Sequence, residues 1–215
     1  TILLAFTLCS SVLTGERINL ILRIASGLTA MLASVPDWRR LALLILGFFG
    51  PLGLALIALP DFHDRYITTF IHHLPVMSHS VFRSIWAGSM EVFFTSPFIG
   101  VGPDNYRNLC PEISGDNSLL YCSTHPHNFY IQIAAETGLI GLFLAVVLVI
   151  SIIRTCFLAN RADRNNFLAA TCFVVPFGFF FPLQSTSDFF GQWNNTFTWS
   201  SVGFSLAVAH QTLGR

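Results

Sequence analysis

Long, unbroken apolar runs constrain this chain more than any other feature. They cover residues 1–13, 18–35, 41–59, 129–153, 167–183 and roughly 193–209. A buried strand is complete within about eight residues, and a surface helix alternates apolar with polar faces, so runs of this length read as helices apolar all round. Only 10% of the residues are charged, against about 25% in a soluble domain. The expected fold is all-α, a polytopic transmembrane helical bundle of about six spans forming a single membrane domain over residues 1–215. The opening TILLAFTLCSSVLTGER has no Met, no basic flank and no small-residue cleavage site, so it is not read as a signal peptide. Its apolar run falls short of the about 20 residues that a span needs. It reads as the cut end of a longer helix, and the chain as the C-terminal part of a longer protein.

Orientation follows from the connections. Arg39 and Arg40 lie in one short loop, Arg154, Arg161 and Arg164 in the next of the same parity, and Arg215 ends the chain on that side. The excess of positive charge places this face in the cytoplasm. The segment TGER with Arg17, the long loop 60–128 and QSTSDFFGQ are then external. A loop of about 70 residues is too long to be a plain connector. Within it, SVFRSIWAGSMEVFF predicts an amphipathic interfacial helix, with Phe82, Ile85, Trp86 and Phe93 on its apolar face and Arg83, Ala87 and Glu91 on another. TSPFIGVGPDNY follows as a Pro/Gly turn. Net charge is zero, which leaves no general attraction to a polyanion and no expectation of nucleic acid.

The quartet His125-Pro126-His127-Asn128 stands where the long loop enters an apolar helix. Imidazoles and a carboxamide at a membrane surface are costly to keep there without a task, and a neutral histidine is a base near neutral pH. Asn128 suits the N-cap of the following helix. Asn128, Gln132 and Glu136 share one face at a spacing of four, a polar stripe that lines a cavity or sits at headgroup level. Gly138 and Gly141 permit close packing farther along. His127, nearest the helix end, is favoured as the base. His125, one residue farther across a proline, is expected to point its ring elsewhere. Arg17 and Arg83 suit a diphosphate, whose oxygens accept forked hydrogen bonds, although Arg17 also fits a residue snorkelling to headgroups. Arg23 lies inside a span and needs a partner or a wet cavity. Arg65 and Arg107 read as solvated loop charges, and His72, His73 and His79 as ordinary loop histidines.

Cys122, His125 and His127 form C-x-x-H-x-H, with plausible ligand types for a metal but no matching second half; no metal is expected. Cys9, Cys156 and Cys172 read as small apolar packing groups. Cys110 and Cys122, both in the external loop, are candidates for a disulfide that closes a small loop just before the histidines.

Taken together, LTGER, FRSIW, SPFIGVGPDNY and HPHNFYIQIAAETGLIGL resemble the O-antigen ligase and polymerase family of bacterial envelope enzymes, over about residues 14–141. The resemblance implies an all-helical glycosyltransferase of the inner membrane, its active site facing the periplasm and independent of metal or cofactor. The donor would be an undecaprenyl-diphosphate-linked glycan. The acceptor would be a sugar hydroxyl, on lipid A-core in ligases or on another repeat unit in polymerases. On this resemblance Arg17 corresponds to the family's arginine at the external end of a span, Arg83 to its loop arginine, and His127 or His125 to its essential histidine. Glu16 departs from the pattern, which often has Ser before the arginine, and the family's upstream spans are missing. A non-enzymatic transporter of polyprenyl glycans would use the same arginines without a base, but the chain lacks the repeat symmetry of that class. A metal-dependent hydrolase is a third reading.

Overall fold

The computed structural model describes residues 17–35, 37–74, 77–78, 80–115, 121–163 and 166–214. The expected first span (1–13), Glu16, Cys9, His79, Arg164 and Arg215 lie outside the described residues, as do the side chains of Arg17, Arg23 and His73. All regular structure among the described residues is helical.

α1 (Arg17–Ser34) and α2 (Trp38–Ala58) come first. Asp37 caps α2, its carboxylate accepting from the Arg39 N–H at 3.0 Å. Such a cap satisfies one of the donors orphaned at a helix start. Pro60, whose missing N–H is harmless at a first helical position, opens α3 (Pro60–His63). A π-helical turn (Asp64–Thr68) and α4 (Thr69–His73) continue it. α5 (Val81–Thr95) and α6 (Tyr106–Ser114) follow, then α7 (Phe129–Ala162), α8 (Phe167–Cys172), α9 (Val174–Phe179) and α10 (Gln192–Leu213).

Two of these helices are long and apolar enough to cross a membrane, α2 and α7. The most apolar stretch of α2 is not covered by protein, and Leu43, Leu46, Leu54 and Ile57 are exposed; such a surface suits lipid and not water. The expectation of about six spans is not met among the described residues. Residues 167–183 do not form one continuous helix: α8 and α9 are six residues each. Pro176 removes an N–H from the i→i−4 ladder and crowds the preceding turn, and the chain runs on without helix through Pro182. α10 is long enough but carries Asn194, Asn195 and a series of Ser and Thr, and the apolar part of α1 is confined to Leu20–Thr29.

The chain divides into two compact units. The first comprises the described parts of Thr1–Phe70, Ser151–Phe181 and Ser200–Arg215. In it Leu20 and Tyr66 pack with Ile24, Phe49, Leu56 and Phe62, so the start of the expected external loop is a helix packed against α1 and α2. A second cluster joins Cys156, Ala159, Cys172 and Ala209, where both cysteines are free and buried, as small apolar groups are.

The second unit, Ile71–Ile150 with Pro182–Trp199, holds the histidine quartet. Its core is Val92, Tyr106, Cys110 and Ala135, flanked by Val101, Leu109, Ile113 and Cys122. The buried face of α5 is Ile85, Gly88, Ser89 and Val92, rotated from the expected apolar face; Phe82, Trp86 and Phe93 are only partly buried flanks. Small residues are needed there because Cys110 and Cys122 form a disulfide, and a Cβ on Gly88 would stand 3.3 Å from the Cys110 sulfur.

α7 is broken at Gly138, which adopts φ 68°, ψ −169°. That backbone region is close to exclusive to glycine. The break is completed by the turn 96–102. Val101 N–H donates to Ala135 O (3.1 Å) and Gly102 N–H to Glu136 O (2.9 Å), while Leu139 N–H donates to Pro97 O (2.8 Å) and Ile140 N–H to Phe98 O (3.2 Å). The carbonyls that end one half and the N–H groups that begin the other thus share one partner. Gly138 is a hinge of backbone geometry and not the helix-packing glycine expected.

Candidate functional site

The histidine quartet is positioned by the N-cap that follows it. The Asn128 Oδ1 accepts from the N–H groups of Tyr130 (3.0 Å) and Ile131 (3.2 Å), and its Nδ2 donates to Pro182 O at 2.8 Å. One buried carboxamide therefore starts α7 and holds the 182–190 loop beside it. His127 has φ 57°, a left-handed backbone that histidine tolerates better than most residues, and its carbonyl accepts from Thr186 N–H at 3.0 Å.

This backbone turn brings the two imidazoles together. Their ring centroids are 4.2 Å apart, so His125 does not point elsewhere as expected: the left-handed residue between Pro126 and Asn128 folds the quartet back on itself. His127 Nε2 lies 3.3 Å from Ser123 Oγ, and its ring meets Phe82 edge-on at 5.9 Å. His125 Nδ1 lies 3.0 Å from Thr124 Oγ1. His125 Nε2 is shut away from solvent without a hydrogen bond of good geometry, as is Thr186 Oγ1. Burial pulls the His125 pKa below the ordinary imidazole value, helped by His127 and more weakly by Arg107, against the opposing pull of Asp188 and the Thr186 main chain. Desolvation and a neighbouring imidazole both disfavour the cation.

The polar stripe is absorbed by protein. Glu136, fully buried, accepts from Asp104 N–H (2.9 Å) and Tyr106 N–H (3.0 Å), so it binds the loop that starts α6. Gln132 Oε1 accepts from Phe189 N–H at 2.8 Å, and its Nε2 donates to Asp188 Oδ1 at 2.6 Å and to Glu136 Oε2 at 3.4 Å. Arg107 donates to Asp188 Oδ2 at 2.8 Å and also pairs with Asp104. The expectation that Arg107 is a solvated loop charge is corrected: its guanidinium closes a clasp between α6 and the 182–190 loop. Gln132 and Glu136 stand before the Gly138 break, in residues 129–137.

Arg83 is exposed on α5, next in sequence to the Phe82 that touches His127, and no ion pair is formed by it among the described residues. Arg17 begins α1 in the other unit, and its side chain lies outside the described residues. The disulfide consumes Cys122 as a thiolate, which removes one ligand of the C-x-x-H-x-H pattern. Asp188, Thr186 and the Glu136–Tyr106 contact were not anticipated as parts of the site. The acid in QSTSDFFGQ was visible, but nothing local shows that it crosses 56 positions to reach Gln132.

The family model described as O-antigen ligase matches residues 2–146. No curated protein and no solved structure matches the chain.

Proposed function

We propose, from the premise that this chain belongs to the O-antigen ligase family, that it moves a glycan from an undecaprenyl-diphosphate carrier to a sugar hydroxyl at the external face of a bacterial inner membrane. The acceptor is lipid A-core in a ligase or another repeat unit in a polymerase. The observation that carries this reading is the facing pair of imidazoles, His125 and His127, held at the loop–helix junction by the Asn128 cap.

In the proposed step His127 takes the acceptor hydroxyl proton. The oxygen attacks the anomeric carbon, the bond from that carbon to the diphosphate oxygen breaks, and the diphosphate leaves with the electron pair, inverting the anomeric configuration. Burial holds the His125 pKa below the ordinary imidazole range, so the ring that faces the base adds no like charge to the imidazolium formed when the proton is taken. Arg17 and Arg83 hold the diphosphate and offset its growing charge. Asn128 and Gln132 position the histidine segment through the contacts described above, and no metal or cofactor takes part. In this reading α1 and α10 are further spans.

His127→Ala is expected to abolish transfer, since a base contributes about 10²–10⁴-fold, while insertion in the membrane is kept. Wild-type rates in that variant, or in Arg17→Ala and Arg83→Ala together, would sink the mechanism. Deletion in the native host separates the two acceptors: accumulation of lipid-linked polymer means ligase, and single-repeat products mean polymerase.

A further inference from the structure

The turn after α5 carries an apolar surface that the transfer reaction does not use. Phe94 and Phe98 are 67% exposed and Ile99 72%. Residues 92–103 contain no charged side chain, and neither do residues 137–153. The turn is joined to the spanning part of α7 by its backbone: Pro97 O and Phe98 O accept from Leu139 and Ile140 N–H. The N–H groups of a helix point along its axis toward the N-terminal end, so their acceptors lie beyond that end. The turn therefore prolongs the column whose next exposed residues are Leu139, Ile140, Phe143 and Leu144.

The length of that column matters. Beyond the Gly138 break the first charged residue is Arg154. Residues 139–153 rise about 22 Å at about 1.5 Å per residue, short of the about 30 Å of a hydrocarbon core. Snorkelling by Arg154 recovers only part of the deficit. At the opposite end stand Phe94, Phe98 and Ile99, exposed apolar side chains that would make up the remainder.

We propose that the 94–99 turn is an immersed lip of the membrane domain, its aromatic and aliphatic side chains in the acyl-chain region of the external leaflet. Irregular backbone is admitted to hydrocarbon only where its polar groups are met by protein. Here Gly100 N–H donates to Ser96 O (2.8 Å), and the Val101 and Gly102 N–H groups and the Pro97 and Phe98 carbonyls are taken up by α7. Gly100 is obligatory for this union, because a Cβ there would meet the Glu136 carbonyl carbon at 2.2 Å. The lip fixes the depth of residues 129–137, and with them the histidine pair, just above the hydrocarbon boundary. It is independent of which chemistry the histidines perform.

The test places a nitroxide on Ile99→Cys in the full chain, with Cys9→Ser, Cys156→Ala and Cys172→Ala and the Cys110–Cys122 bond retained. The protein is reconstituted in vesicles of palmitoyl-oleoyl phosphatidylcholine and phosphatidylglycerol. Labels on Phe143→Cys in the span and on Glu112→Cys, exposed on α6, supply the lipid and water references and establish that the protein has inserted. The lip predicts that the label at 99 collides with oxygen in preference to an aqueous nickel chelate, shifting to the value read at 143; Phe98→Cys repeats the measurement should the first variant fold poorly. A value equal to that at 112 overturns the proposal. So does protection at 99 that arises only after undecaprenyl diphosphate is added, which would assign the surface to a substrate tail instead of the bilayer.

Discussion

Gly138→Ala separates two costs that the break in α7 imposes. The first is conformational: φ 68° with ψ −169° lies in a region where any residue but glycine is strained by about 1–3 kcal/mol. The second is steric, because the added Cβ would stand 2.3 Å from the carbonyl carbon and oxygen of Phe98 and 2.5 Å from Ile99 N. Those are backbone atoms, and the Phe98 carbonyl already accepts from Ile140 N–H, so they cannot turn aside as a side chain would, and overpacking of that kind adds about 1–3 kcal/mol. The sum is about 2–6 kcal/mol, or a fall in Tm of roughly 5–20 °C for a domain of this size. Two other glycines calibrate the result. Gly102 has φ 100° but open space around its Cβ position, so Gly102→Ala carries the conformational term alone, about 1–3 kcal/mol. Gly47 in α2 has neither feature, and Gly47→Ala should leave stability unchanged or raise it by about 0.5–1 kcal/mol. Thermal unfolding of the three variants in nanodiscs, followed by tryptophan fluorescence, should order them Gly138, Gly102, Gly47 from least to most stable. A Gly138→Ala midpoint no lower than that of Gly102→Ala would refute the claim that the two backbones meet at this point.

Three further outcomes follow from the same contacts. Asp188→Ala should destabilise by about 1–3 kcal/mol because it strips Phe190 N–H of its acceptor and leaves Gln132 Nε2 only its longer bond to Glu136, whereas Arg107→Ala, removing a half-exposed guanidinium, should cost no more than about 1 kcal/mol; equal losses in chemical unfolding would show that the clasp is held by charge alone. His125 has a folded pKa below its unfolded value near 6.5, so the unfolded chain binds the extra proton first: stability should be full above about pH 6.5 and decline as pH falls toward the lowered pKa, and His125→Gln should flatten that slope in Tm measured from pH 5 to 7.5. Reduction of the Cys110–Cys122 bond, which closes a loop with a sequence separation of 12, should cost about 3 kcal/mol, read as a lower Tm with dithiothreitol that Cys110→Ser/Cys122→Ser reproduces without reductant.

Much of the helical content was legible because it depends on local composition. The run at 41–59 appears as α2 within a few residues, the run at 129–153 starts α7, which continues to Ala162, and Asn128 caps as its position before an apolar helix implied. The run at 167–183 misled, since Pro176 and Pro182 break it into short pieces that average hydropathy does not register. Within the site, spacing along the chain did not show which partners the polar residues meet. Gln132 and Glu136 share a face, as their spacing requires, but that face meets Asp188, Phe189, Asp104 and Tyr106 in place of a wet cavity.

What the amino-acid order determined alone is what depends on neighbours within one or two turns: apolar helices, the Asn128 cap and the glycines that permit a break. Tertiary structure decided which groups meet across long separations. The closure of the Gly138 break by Pro97 and Phe98 and the joining of Arg107 to Asp188 each depend on a backbone placed by another segment. Spacing along a chain constrains direction only while the intervening backbone is regular. Once α7 breaks and the 182–190 loop folds back, the pairing is set by which buried donors and acceptors can satisfy one another.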